Sequence, residues 1–354
     1  MNEGPAEGRQ ITLVVAVGVF AALLAFTVAL VAFTFPAGVY AVFSGALSTA
    51  YTAATPVHPY FWIGPIPIVL GSVVPAGALF AGLTVVYAAM LVYGAWQQRR
   101  PLGALSDSLK SGFGSIGTSP FIVMMVSIGF ITFTATLIDN VTSASGVPIG
   151  GITGDPLEVF LGLTISPLVE EFGFRMVMIG VVALVLCLGR TWKEALGALW
   201  RPSKAMEGVA VGGGTSLIIW IATGLSSVTF GACHVVCGGS AWSIGKFPEA
   251  AFGGVVLGYV YVKYGFHVAV ITHWGVDYFG SALAFFGQAV YGISWDSGTT
   301  EYFGQYLVDY DLLFLFGLAC FLLVIYLGVS RMVKKDRSDP VQFIPPAGEG
   351  ALER

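Results

Sequence analysis

Long apolar segments are the feature that most constrains the fold of this chain. Eight of them approach the length of about 20 residues that a helix needs to cross a bilayer. Backbone polar groups in lipid must find their partners within the protein, so such segments predict helices. The fourth contains Pro167, where we expect a break. The predicted spans are residues 11–35, 76–96, 120–138, 157–188, 208–230, 247–261, 268–286 and 312–329.

The composition agrees with an integral membrane protein. Of the 354 residues, 56% are hydrophobic and 10% are charged, whereas soluble domains carry about 25% charged residues. The fold class we expect is all-α, a polytopic membrane helix bundle. Residues 1–335 form one bundle in this interpretation, and residues 336–354 form a disordered tail. No basic stripe or recognition motif points to a nucleic acid partner.

Lysine and arginine positions predict the orientation in the membrane. The connections 36–75, 139–156 and 287–311 contain neither residue, and the cations cluster on the alternate connections. Because cytoplasmic connections are enriched in Lys and Arg, this pattern predicts a cell-membrane protein with both termini in the cytoplasm. Lys246 is the one cation on the opposite side. The connection 36–75 is itself apolar and aromatic, and we expect it to lie at the interface or to pack on the bundle.

Two small-residue patterns are interpreted as packing features. The spacing of Gly254 and Gly258 predicts close contact between helices. The four cysteines fall in or beside apolar segments, so we expect packing roles rather than disulfides or zinc ligands; they are Cys187, Cys233, Cys237 and Cys320.

An acidic pair lies inside the fourth apolar segment. Glu170 and Glu171 are costly in lipid, so they must face protein or a water-filled cavity, which indicates a functional site. Arg175 follows Glu171 by one helical turn, where the two side chains can pair. Glu170 is left without a local partner. A carboxyl group removed from water is suited to act as a general base.

Further polar groups occur in or beside two other apolar segments. His234 follows Phe230 by four residues, and His273 precedes Asp277 by four, so each pair shares a helix face. Either histidine alone is equally well explained by a helix–helix hydrogen bond. The free-energy cost of burying these groups and Glu170 in the membrane is lowest if all of them surround one water-filled cavity. The predicted boundaries nevertheless place Glu170 and His234 toward the outer side and His273 toward the cytoplasmic side.

Three motifs occur in order along these segments. The residues from Glu170 to Arg175 fit E-E-x-x-x-R, those from Phe230 to His234 fit F-x-x-x-H, and those from His273 to Asp277 fit H-x-x-x-N/D. In this order, the chain resembles the CPBP family of CAAX proteases and bacteriocin-processing enzymes over about residues 157–280. That family includes prenyl-protein endopeptidases.

The resemblance implies a role for each residue. Glu170 and His234 match the pair that activates water, and His273 with Asp277 matches the pair that stabilises the oxyanion. Glu171, Arg175 and Phe230 match supporting positions. The best-studied, eukaryotic-like form of the third motif has asparagine where this chain has Asp277. Because an ionised Asp277 would repel an oxyanion, it must be protonated or instead orient His273; we favour the orienting role.

The expected activity is cleavage of a peptide bond in a membrane-associated, lipidated or prenylated substrate, with membrane lipid as the other partner. No cofactor is expected. The alternative is a zinc protease with Glu170, His234 and His273 as ligands. Two other readings stay open: a transporter or proton-relay protein, and a non-catalytic membrane chaperone or immunity factor.

Overall fold

Helices make up almost all of the regular structure. The computed structural model describes residues 4–97, 101–207, 214–237, 241–295 and 304–338. A 3₁₀ turn spans Phe113–Thr118, and a π-helical segment spans Glu171–Gly180. The α-helices are α1 Gly4–Phe43, α2 Ala76–Gln97, α3 Pro101–Ser111, α4 Pro120–Ala144, α5 Pro156–Glu170, α6 Val181–Leu186, α7 Trp192–Trp200, α8 Pro202–Ala205, α9 Gly214–Val236, α10 Lys246–Tyr264, α11 Phe266–Tyr291 and α12 Gly304–Ser338.

Strands occur only in short antiparallel pairs within the described residues. β1 pairs with β4, β2 with β3, and β5 with β6. Their bounds are β1 Pro56–Val57, β2 Tyr60–Ile63, β3 Ile66–Val69, β4 Val74–Pro75, β5 Gly150–Gly151 and β6 Ala241–Trp242. The architecture is therefore an all-α membrane bundle, as the sequence predicts.

The predicted count of eight spans is not confirmed. Among the described residues, five helices are long and apolar enough to cross a membrane; they cover Gln10–Phe43, Ala76–Gln97, Pro120–Ala144, Leu217–Val236 and Leu313–Ser330. The other three predicted spans correspond to α5 with α6, to α10 and to α11. Charged residues and histidines lower the hydropathy of α10 and α11. Helices α5 and α6 are each too short to span a membrane, because the π-helical segment lies between them.

The fourth predicted span forms one helix that is continuous from Pro156 to Leu186. Pro167 lies inside α5 and does not break it, so the expected break is wrong. The helix instead widens into the π-helical segment a turn later, which begins at Glu171. Such segments occur often at functional sites. Asp155 fixes the start of α5 by accepting a hydrogen bond from the backbone N–H of Leu157 at 2.9 Å.

The connection 36–75 packs against the bundle, in agreement with the prediction. Its β2–β3 hairpin lies directly on the π-helical segment at Gly173. A Cβ atom at Gly173 would lie 3.1 Å from the carbonyl oxygens of Trp62 and Gly64 and would also collide with the Trp62 Cβ. Glycine at this position therefore lets the hairpin backbone approach the helix.

Helices α9 and α10 are in close contact through glycines. A Cβ atom at Gly258 would lie 2.6 Å from Thr223 Cγ2, and one at Gly254 would lie 3.0 Å from Ser227 Cα. The packing role predicted from the Gly254 and Gly258 spacing is confirmed. Helix α9 continues to Val236, six residues beyond the predicted end at 230, so His234 lies in its last turn.

Helix α12 extends to Ser338, into the segment predicted to be a disordered tail. The rest of that tail, residues 339–354, lies outside the described residues.

We expect Gly254→Leu to separate α9 from α10. Overpacking of this kind costs about 1–3 kcal/mol, so the melting temperature of the purified protein in detergent should fall by several degrees. Gly224→Leu is the matched control, because a Cβ at Gly224 meets no atom within 4 Å. Equal melting temperatures for the two variants would contradict the close packing.

Candidate active site

A cavity of about 390 Å³ lies between α5, α9, α11 and the β2–β3 hairpin. Three of the four predicted catalytic residues, Glu170, His234 and Asp277, line it. The hairpin contributes Tyr60 and Trp62, and Glu158 lies on the wall formed by α5. The structure thus brings together residues that are more than 100 positions apart in the chain.

The fourth residue, His273, lies behind the cavity wall. Its exposed fraction is 6%. Its Nε2 is 3.8 Å from Glu170 Oε2 and 3.5 Å from Asp277 Oδ2. The buried His273 ring therefore lies against the carboxyl groups of both Glu170 and Asp277.

Glu171 is the residue that orients the His273 ring. The Nδ1 of His273 donates a hydrogen bond to Glu171 Oε1 at 2.9 Å. We expected Asp277 to take this role, and the structure corrects that expectation. Asp277 is one turn along α11 from His273 and reaches the Nε2 edge of the ring, whereas Glu171 approaches Nδ1 from the neighbouring helix.

Glu171 also forms a buried ion pair. Its Oε2 is 3.2 Å from Arg175 Nε, and both side chains are fully buried. Arg175 Nη1 donates to Ser226 Oγ at 3.4 Å, and Ser226 Oγ donates to the Phe174 carbonyl oxygen at 2.6 Å. The predicted pairing of Glu171 with Arg175 is present. The sequence analysis missed Ser226, although its position one turn before Phe230 on α9 indicated the same helix face.

Phe230 packs between the two histidines and the arginine. Its ring centroid is 4.6 Å from that of His234 and 5.7 Å from that of His273. Arg175 Cζ lies 4.6 Å from the same centroid, a cation–π distance. His234 Nδ1 donates to the Phe230 carbonyl oxygen at 2.9 Å, which leaves Nε2 as the nitrogen available to the cavity.

The predicted spans place His273 at a different depth from Glu170 and His234, but in the structure His273 Nε2 lies 3.8 Å from Glu170 Oε2. Because α9 ends at Val236, His234 lies near the end of its helix, whereas Glu170 lies near the middle of the helix from Pro156 to Leu186. The hairpin occupies the space above the end of α9: Cys233 and Cys237 Sγ each lie 3.8 Å from the Pro65 carbonyl oxygen.

Cys233 and Cys237 form a disulfide on the cavity wall. The prediction that these two cysteines only pack is therefore wrong. Cys233 lies in the last turn of α9 and Cys237 follows its last residue, Val236; their Cα atoms are 4.6 Å apart. Cys187 and Cys320 are free and buried, as expected for packing residues.

Tyr60 is a further cavity residue that the sequence analysis did not single out. It lies on the hairpin, outside the spanning segments, and burial raises the pKa of its phenol above the ordinary value. The phenol therefore stays neutral and hydrogen-bonds to Ser166. This contact joins the hairpin to α5 at the cavity.

The side chains do not match a metal site. Within the described part of the chain, no group of three or more His, Cys, Asp or Glu side chains is arranged to hold a metal ion.

Residues 153–279 match the family model described as "Type II CAAX prenyl endopeptidase Rce1-like". The match contains all three motifs and nearly coincides with the region 157–280 expected from the resemblance. None of the curated proteins and none of the solved structures matches the chain.

We expect Arg175→Met to destabilise the protein severely. It leaves Glu171 charged and unpaired in a fully buried position, which costs about 3–5 kcal/mol. The yield of folded protein and its melting temperature in detergent measure the effect.

Lys204→Met is the control, because it removes an exposed cation and surface substitutions of this kind change stability by about 0.5 kcal/mol or less. The double variant Glu171→Gln/Arg175→Met should recover part of the lost stability. Similar losses for Arg175→Met and Lys204→Met would contradict the importance of the buried pair.

Proposed function

The chain carries the core of a CAAX protease family member over residues 153–279, and on that premise we propose that it is a glutamate-type intramembrane endopeptidase. Its substrate is a membrane-associated, lipid-anchored protein. The observation that carries the proposal is the convergence of Glu170, His234 and Asp277 on one cavity, with His273 in contact with both carboxyl groups.

In this proposal, Glu170 and His234 hold the attacking water. The His234 Nδ1–H is committed to the Phe230 carbonyl, so in the neutral ring Nε2 is an acceptor. Glu170 accepts the other water proton. As the water attacks the substrate carbonyl carbon, Glu170 takes its proton and the hydroxide oxygen forms the new C–O bond. When the C–N bond breaks, Glu170 returns that proton to the leaving amine.

His273 donates to the oxyanion of the tetrahedral intermediate. Because Nδ1 donates to Glu171, Nε2 carries a hydrogen only when the ring is an imidazolium. The carboxylates of Glu171, at Nδ1, and of Glu170, near Nε2, stabilise that cation. A positioned donor of this type contributes about 3 kcal/mol to transition-state stabilisation.

Asp277 takes part in its protonated form. Glu171 already occupies the orienting position on the His273 ring, so the remaining role for Asp277 is that of a hydrogen-bond donor beside Nε2. A neutral carboxylic acid there supplies a donor where the best-studied form of the third motif has an asparagine amide, and it adds no negative charge next to the oxyanion.

A transporter or a non-catalytic chaperone is less well supported by this arrangement. Neither activity requires an imidazole held by one carboxylate at Nδ1 and flanked by two more at Nε2. An endopeptidase uses each of these groups in a defined step.

Glu170→Gln should reduce cleavage at least about 100-fold, the lower range for loss of a general base, without changing the melting temperature. The assay uses purified protein in detergent and a library of lipid-anchored, internally quenched peptides. Glu158→Gln makes the same chemical change elsewhere on the cavity wall and should retain most of the activity. Full activity of Glu170→Gln would refute the assigned base, and an inactive wild type would favour the non-catalytic reading.

Cleavage should not depend on zinc, because the side chains around the cavity do not fit a metal site. We expect purified, active protein to contain zinc well below one equivalent by elemental analysis and to retain its activity after treatment with a strong chelator. Stoichiometric zinc whose removal abolishes cleavage, and whose return restores it, would replace the glutamate-type scheme by the metal-dependent one.

A further inference from the structure

The two ends of the bundle differ in which connections they contain. At one end, here called the hairpin end, the segments 44–75, 145–155, 241–245 and 292–295 meet. The strand β5 pairs with β6, Gly245 N–H donates to the Pro148 carbonyl at 3.0 Å, and Gln288 Nε2 donates to the Leu47 carbonyl at 3.1 Å. These contacts bring all four connections to one side of the bundle.

The opposite end, here called the cationic end, contains the connections after α2 and α6 and the C-terminal end of α10. The Tyr264 hydroxyl donates to the Gly117 carbonyl at 3.1 Å. Arg201 Nε donates to the Lys263 carbonyl at 2.9 Å. These contacts join the two connections to α10 on the side remote from the hairpin.

Positive charge is concentrated at the cationic end. Of the 16 lysines and arginines in the sequence, 13 lie in the residues that the structure describes. All 13 except Arg175 and Lys246 belong to helices or connections that begin or end at the cationic end. Cytoplasmic connections are the ones enriched in Lys and Arg, so the cationic end corresponds to the cytoplasmic side.

The two exceptions are not free surface cations. Arg175 is fully buried with Glu171. Lys246, the one cation on the unexpected side, pairs with Glu249 on the next turn of α10, and its Nζ lies 4.3 Å from the centroid of the Trp242 ring. Its exposed side-chain fraction is 15%. Lys246 is therefore neutralised within the protein, which is compatible with a position at the non-cytoplasmic end.

The active-site cavity opens at the hairpin end. Its wall includes Tyr60 and Trp62 of the hairpin, Thr153 and Gly154 of the connection before α5, and Trp242 of β6. In the part of the chain that the structure describes, the cavity has no lining residue from the connections of the cationic end.

The Cys233–Cys237 disulfide is a second, independent indication of the same side. It lies on the cavity wall at the end of α9. Disulfides persist in oxidising, extracytoplasmic compartments, and the cytoplasm keeps thiols reduced. The disulfide and the charge distribution therefore both assign the hairpin end to the extracytoplasmic side of the membrane.

We propose that the cavity opens to the extracytoplasmic side of the membrane and that its substrates are exported, membrane-anchored proteins whose scissile segment lies on that side. The choice of substrate rests on the proposed endopeptidase function; the orientation of the cavity does not. A lipid-anchored protein of the cytoplasmic leaflet would present its peptide to the wrong end of the bundle.

Labelling of single cysteines tests the orientation. In a Cys187→Ala/Cys320→Ala background that keeps the disulfide, Ser145→Cys places a thiol at the exposed hairpin end and Lys204→Cys places one at the exposed cationic end. We expect a membrane-impermeant maleimide to label Ser145→Cys in intact cells and Lys204→Cys only after permeabilisation. The reverse pattern, or equal labelling of both variants in intact cells, would overturn the proposal.

The oxidation state of the cavity wall provides a second measurement. Free thiols of intact cells are blocked with N-ethylmaleimide, and the protein is then reduced and treated with a mass-tagged maleimide. Wild-type protein should gain two tags that the Cys233→Ser/Cys237→Ser variant lacks. Blocking of both cysteines before reduction would place the cavity wall in a reducing compartment and contradict the proposal.

The labelling experiment separates the orientation from the proposed function. Glu170→Gln, which removes the assigned base, should give the same labelling pattern as the wild type. If the pattern is as expected but the purified wild type cleaves none of the lipid-anchored peptides, the endopeptidase function fails and the orientation stands. If the purified protein cleaves them but the pattern is reversed, the orientation fails and the function stands.

Discussion

The buried contact among Arg175, Glu171 and His273 is the interaction on which the site depends. Each of these groups alone would be very costly inside a membrane bundle. Arg175 compensates the charge of Glu171, and the other oxygen of Glu171 is then free to hold His273 by Nδ1. One carboxylate thus joins the supporting ion pair to the residue proposed to bind the oxyanion.

The consecutive residues Glu170 and Glu171 lie against the two nitrogen atoms of the His273 ring. Glu171 bonds to Nδ1 of His273 from a fully buried position, and Glu170 approaches Nε2 from the cavity wall. Adjacent positions on a helix point in different directions, so a histidine on the neighbouring α11 can lie against both. The π-helical segment begins at this point of the helix and carries Arg175 as well as Glu171. The backbone irregularity therefore coincides with the most densely charged part of the bundle.

The β2–β3 hairpin completes the cavity that the helices leave open. Helix α9 ends at Val236, and the hairpin fills the space beyond its last turn, in contact with the backbone at Gly173 and with the disulfide at Cys233 and Cys237. Tyr60 and Trp62 of the hairpin line the same cavity as Glu170. These two aromatic residues are well placed to influence which side chains the cavity admits.

The sequence by itself determined the helical membrane class, the pairing of Glu171 with Arg175, the close packing at Gly254 and Gly258, and the residues that meet at the cavity. These features follow from hydropathy and from helical spacing, which are local properties of the chain. Only the tertiary structure decided that Glu171 rather than Asp277 orients His273, that Pro167 continues the helix, and that Cys233 and Cys237 are bonded. Each of these depends on how far one helix is shifted along another, and residue spacing within a helix contains no information about that shift. The predicted count of eight spans is not confirmed, because charged groups lower the hydropathy of α10 and α11. A local pattern cannot identify the groups on neighbouring helices that compensate those charges.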